Sequence, residues 1–118
     1  MQYLFLLYSD EANTPEPPTD PKELEAYMAP WAEYSEMLVK AGAMRGGEAL
    51  EPSSTATTVT ALGGKAKVTD GPFAETKEQL GGYYVVDCAN LDEALAWAQK
   101  CPGAKFGHVE VRPIMKFD

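Results

Sequence analysis

The spacing of apolar positions changes along this chain, and each change marks an element. From Gln2 to Tyr8 the run is apolar on both sides of a strand's alternation: Tyr3, Phe5 and Leu7 fall on one face, Leu4, Leu6 and Tyr8 on the other. "SDEANTPEPPTDP" follows, with four prolines and four acids, and predicts an exposed loop. A helical period then takes over at Leu24, Tyr27, Met28, Trp31, Tyr34 and Leu38. Asp20 is placed to cap that helix, with Pro21 at its first position and Glu23 three residues after the cap. Pro30 removes one of its backbone hydrogen bonds, and Gly42 ends it. Strands are predicted at 43–50, where Gly46 and Gly47 suggest a bulge, at the Thr- and Val-rich 55–62, and at 65–69. Gly63-Gly64 reads as a two-residue hairpin turn between the last two. A further strand spans 82–87. Asn90 and Glu93 open a second helix with Leu91, Ala94, Leu95 and Ala98 as its inner face, Pro102-Gly103 ends it, and a last strand covers 109–114.

The order β-α-β-β(β)-β-α-β, with the hairpin in parentheses, predicts an α+β fold: a ferredoxin-like βαββαβ sandwich with an extra β-hairpin. In such a sandwich both helices cover one sheet face, and the other should be polar. Here the first strand and the strand at Tyr83–Val86 are apolar on both faces. An uncovered apolar face of several hundred Å2, on the order of the largest patch tolerated by a monomer, calls for a cover. A second copy stacked sheet to sheet is the economical one, so a homodimer with a cavity between sheet, loops and partner is expected.

Composition narrows the function. The 118 residues, 45% hydrophobic and 10% aromatic, fit one globular domain over 1–118. Ten basic against eighteen acidic residues give a net charge of −8 with no basic cluster, which argues against nucleic acid as a direct partner. The opening "MQYLFLLY" is too short to span a membrane and lacks the marks of a signal peptide. Cys88 and Cys101 form no CxxC pattern; free thiols in the cytoplasm are the expectation, a structural disulfide the alternative. One histidine without a Cys/His cluster predicts no metal site, and the absence of a Gly-rich phosphate loop predicts no cofactor.

"DGPFAETKEQLGGYYVVD" at 70–87, followed after a helix by "VEVRPI", resembles the YCII-related proteins of the DGPF type. The likeness extends to the opening "YLFLLY" strand with Ser9-Asp10-Glu11 and to "TATTV" at 55–59. The resemblance implies a dimeric α-β barrel of ferredoxin-like subunits in a bacterial protein. It also implies kinship with small dimeric enzymes acting on aromatic or lactone substrates, among them a chlorinated-hydroquinone dehydrochlorinase. For some DGPF-type members it implies association with extracytoplasmic-function sigma factors. A histidine–aspartate pair is held to be catalytic in some relatives; the histidine here, His108, lies outside the matched motif. After "TATTV" the family often has arginine, and this chain has Thr60.

Several side chains are candidates for chemistry. Asp70 has two compatible readings, an Asx-turn acceptor at the Gly71-Pro72 corner and a pocket carboxylate acting as general base. In "ETKEQ", one helical turn would pair Glu75 with Gln79; the segment is either a solvated turn or a place where Glu75 and Lys77 turn into the pocket as a charge pair. On the last strand His108, Glu110 and Arg112 share one face, about 7 Å between alternate residues. They form either a structural ion-pair network or a proton shuttle, His108, beside an anion clamp, Arg112. Tyr8 and Tyr83 are core or interface by spacing, with hydroxyls suited to an aromatic ligand, while Trp31 and Trp97 read as helix packing. Three functions remain open at this level. They are a cofactor-independent acid–base enzyme on an aromatic or enolisable metabolite, a ligand-binding or regulatory protein beside a sigma factor, and a dimeric scaffold.

Overall fold

The computed structural model describes residues 1–117. The strands are β1 (Gln2–Ser9), β2 (Met44–Ala49), β3 (Thr57–Thr60), β4 (Lys67–Asp70), β5 (Gln79–Asp87) and β6 (His108–Pro113); the helices are α1 (Pro21–Lys40) and α2 (Leu91–Lys100). Four strands form one sheet in the order β2-β5-β1-β6, every neighbouring pair antiparallel, and β3 and β4 form a separate hairpin. That mixed α+β arrangement is compatible with the ferredoxin-like expectation.

Both helices cover one face of the sheet. Tyr3 and Phe5 of β1 and Tyr84 and Val86 of β5 meet Tyr34 and Leu38 of α1 and Ala94 and Ala98 of α2 in a single buried cluster. Tyr34 joins the three layers. Its ring stands edge-on to Tyr84 and Trp97 at 5.4 and 6.3 Å, and its hydroxyl donates to the Trp97 carbonyl at 2.8 Å. Burial pushes the Tyr34 hydroxyl far above its ordinary range, so it stays a neutral donor. The caps form as the residues predict: Asp20 accepts from Glu23 N at 3.1 Å, and Asn90 from Glu93 N at 3.0 Å.

The structure corrects the helix faces. Of the predicted α1 stripe only Tyr34 and Leu38 are buried, while Leu24, Tyr27 and Met28 are exposed. The buried contacts of the helix lie in its second half, with Trp31 packed against the core beside them. In α2, Leu91 and Leu95 face out and Ala94 and Ala98 face in, because small side chains allow the helix to lie close on the aromatic layer. The β2 bulge falls at Arg45, where the register with β5 shifts between Met44 and Gly46.

The hairpin is shorter in strand and longer in loop than its sequence predicts. Pairing stops at Thr60–Lys67, leaving a six-residue connection in which Gly63 and Gly64 both take positive φ (76° and 85°). It stands off the sheet as an arm. The radius of gyration is 16.4 Å, against about 13.5 Å for a compact chain of this length. At its root Glu11 accepts from Ser53 N at 2.9 Å and from Ser53 Oγ at 2.6 Å, tying the arm to the end of β1.

Asp87 closes the opposite end of the sheet. The N-terminal ammonium bonds it at 3.0 Å and Arg45 at 3.2 Å, and together they hold its carboxyl below the usual range. A depressed acid contributes stability above its unfolded pKa of about 3.9 and loses it as pH falls through the lower folded value. The urea midpoint of wild type should therefore exceed that of Asp87→Asn above about pH 5, and the gap should close between about pH 4 and pH 2. A gap unchanged at low pH would show that the two bonds do not act through charge.

Candidate functional site

The sheet face turned away from the helices carries most of the chemistry. Alternation from the buried Tyr3, Phe5, Tyr84 and Val86 puts Leu4, Leu6 and Tyr8 of β1 and Tyr83 and Val85 of β5 on this second face. All five are half-buried. The register then arranges the face in rows: Val85, Leu4 and Arg112; Glu48, Tyr83, Leu6 and Glu110; Leu80, Tyr8 and His108. Tyr8 and Tyr83 thus share a face with His108, Glu110 and Arg112, a grouping set by strand order and register.

Within that group two ion pairs form. Arg112 Nη2 donates to Glu110 Oε2 at 2.8 Å, pairing neighbours two apart on β6. His108 Nδ1 lies 2.8 and 2.9 Å from the two carboxylate oxygens of Glu78. Because a carboxylate only accepts, Nδ1 is the donor in this contact, and in the neutral ring that tautomer leaves the lone pair on Nε2. The Glu78 side chain is 27% exposed and that of His108 is 78% exposed, so the carboxylate is sheltered and the imidazole is reachable.

Glu78 is the residue that sequence reasoning leaves out. It lies just before β5, thirty residues from His108, and reaches it only because β1 separates β5 from β6 by one strand. Leu80 reaches this face only through the register shift that follows Leu7–Gly82 with Tyr8–Leu80, so parity counted from Tyr83 would put Glu78 on the helix side. The loop before it takes no helical turn. Thr76 Oγ1 donates to the Glu78 carbonyl at 2.5 Å, and Gln79 spans from the Thr76 carbonyl to the amide of Glu11. Those bonds draw the chain from the arm into β5 and present Glu78 to His108.

The other candidates sit elsewhere. Asp70 ends the arm opposite Thr57 and is exposed. No Asx-turn forms there among the described residues; Gly71 N bonds the Ala56 carbonyl at 2.6 Å, Thr58 Oγ1 bonds the Gly71 carbonyl at 2.8 Å, and a φ of 90° at Gly71 turns the corner. Glu75 and Lys77 are exposed on the connecting loop and do not form the charge pair.

Neither cavity described in the chain includes these groups. One, of about 910 Å3, lies beside Met1, Asp87 and Phe117; the other, of about 320 Å3, lies between α1 and 102–106, beside Trp31 and Phe106. His108 and Arg112 themselves are largely exposed. Among the described residues no group of three or more His, Cys, Asp or Glu is placed to hold a metal ion, and no helix is long and apolar enough to cross a membrane. The cysteines are free and buried, and burial pushes both thiols up, which makes them poor nucleophiles.

Comparison with known proteins gives a match over the full length. Residues 1–118 fit the family described as the YCII-related domain. An uncharacterized protein of Rhizobium meliloti (strain 1021) is 40% identical over 116 residues, covering 97% of this chain and 92% of that protein.

Proposed function

The chain belongs to the YCII-related domain family, and from that premise we propose that it is a cofactor-independent protein of acid–base chemistry, acting on an aromatic or enolisable metabolite in a pocket that a second copy closes over the open sheet face. The observation that carries the reading is the His108–Glu78 pair at 2.8 Å. With Nδ1–H donated to Glu78, Nε2 is free to take a proton from an acidic C–H or O–H, and the carboxylate stabilises the imidazolium that results. Arg112 would hold the carboxylate or enolate oxygen of the substrate, oriented by Glu110. Tyr8, in register with His108, would lie along an aromatic ring. In the second copy's absence the face is open to water, so the homodimer, in which stacked sheets make the α-β barrel, is part of the proposal. The two free, buried thiols support a cytoplasmic setting.

The exposure of His108 favours a second reading, in which the same face binds its ligand without turnover, as a regulator beside a sigma factor would. Loss of deuterium from α-deuterated arylpyruvates and acyl lactones, followed by NMR, separates the two. Wild type is expected to speed exchange, His108→Asn to lose about 10²–10⁴ of that rate, and Glu78→Gln to lose a smaller share. Equal rates in wild type and His108→Asn would refute the acid–base role, and binding without exchange would favour the second reading.

A further inference from the structure

We propose that Gln79 and Thr76 are positioning residues, which hold Glu78 against His108 and so fix which nitrogen of the imidazole is left free. Glu78 needs such support because the sheet does not supply it. The ladder between β1 and β5 ends at the Ser9–Gln79 pair, so Glu78 stands one residue outside it. Among the described residues, 72–78 make no backbone–backbone hydrogen bond, and all of them but Glu78 are exposed. A carboxylate on a loop held so lightly would sample many positions, and fixing it in one costs conformational entropy that other bonds must offset.

Two side chains do what the backbone does not. Thr76 Oγ1 donates to the Glu78 carbonyl at 2.5 Å, closing a ring across Lys77. Gln79 then ties Thr76 to the end of β1: its Nε2 donates to the Thr76 carbonyl at 2.7 Å, and its Oε1 accepts from Glu11 N at 3.0 Å. The fork needs an acceptor and a donor in one planar group, which an amide has and a carboxylate lacks. Glu11 is itself fixed, because its carboxylate accepts from Ser53 N and Oγ at 2.9 and 2.6 Å. Glu78 is thereby bracketed by bonded residues on both sides, with its carboxylate oxygens 2.8 and 2.9 Å from His108 Nδ1. Among the described residues Glu78 is the sole hydrogen-bond partner of that ring. The tautomer of a histidine is set by the bond its other nitrogen makes, so the free nitrogen of His108 follows the place of Glu78, and the place of Glu78 follows Thr76 and Gln79.

The inference rests on reading His108–Glu78 as the working pair, and its first test needs no turnover. The ring 15N shifts of His108, the single histidine, are read by NMR at about pH 9, where an imidazole is neutral. Wild type should carry the hydrogen on Nδ1. Thr76→Val keeps the shape of the side chain and removes the donor, and Gln79→Met removes both amide bonds. Each should move the hydrogen toward Nε2, as Glu78→Ala does, and Thr76→Ser should restore the wild-type shifts. Thr76 is exposed on its loop, so its variants leave the core untouched. In the deuterium-exchange assay Thr76→Val and Gln79→Met should lower kcat by about 10-fold or more and leave KM within about 2-fold, since both act through Glu78 and neither holds the substrate. Wild-type shifts in both variants, Thr76→Ser displaced as far as Thr76→Val, or a loss confined to KM would each overturn the proposal. Displaced shifts in variants of a protein whose wild type gives no deuterium loss would uphold the positioning role and refute the acid–base reading alone.

Discussion

Phe5→Ala is expected to cost about 3–5 kcal/mol, a large part of the roughly 5–15 kcal/mol that holds a domain of this size together. Phe5 is fully buried at the centre of the sheet, between Tyr84 on β5 and Val111 on β6. Truncation removes the ring's contacts with the helix layer and leaves a cavity that two β ladders prevent from collapsing. Urea unfolding should show the loss directly, with a melting temperature lower by about 12 °C or more. A cost under about 1 kcal/mol would mean that the helices, and not the sheet, organise the core.

Gly107→Ala should damage stability and site together. A Cβ at Gly107 would collide with the carbonyl oxygen of Tyr8 and lie 3.2 Å from Ser9 Cα, and both are backbone atoms that no rotamer change can move. The chain must shift where β6 begins, at the Tyr8–His108 pair. Overpacking of this kind costs about 1–3 kcal/mol. The displacement also draws His108 from Glu78, so deuterium exchange should fall by more than about 10-fold. Gly46→Ala is the control: nothing lies within 4 Å of its added Cβ, and stability should change by about 0.5 kcal/mol or less. If both variants behave alike, the close approach at Gly107 does not position the histidine.

The residues of β1, β5 and β6 announce their faces because strand periodicity is local: Leu4 against Phe5, Tyr83 against Tyr84 and His108 against Val109 can each be assigned by parity alone. Helix caps are legible for the same reason, being contacts across three residues. What lies beyond reach is set by distance along the chain. Leu24, Tyr27 and Met28 have a helix's inner spacing, and only the packed fold shows that they lie outside the core. Glu78 looks like one charge among several in a loop until sheet order sets it across from His108. Asp70 is prominent in the motif, yet its corner is held by Ala56 and Thr58, residues whose pairing with 69–71 depends on the turn between them. The family segment is thus readable as a connector, and the partner it presents to the histidine is not.

The place of β1 in the sheet has a consequence for how the chain comes to be folded. Gln2 pairs with Asp87 and Tyr3 with Pro113, so the central strand is synthesised long before either neighbour. At about 5–20 residues per second, "MQYLFLLY" waits roughly 5–20 s before β6 exists. Through that interval its apolar residues have no native ladder to join. Chains dominated by such distant pairings fold slowly, in about milliseconds to seconds, and expose sticky segments meanwhile. The acidic, proline-rich stretch directly after β1 is well placed to keep the nascent strand soluble, since neither its charge nor its prolines allow an adjoining segment to extend the strand into an aggregate.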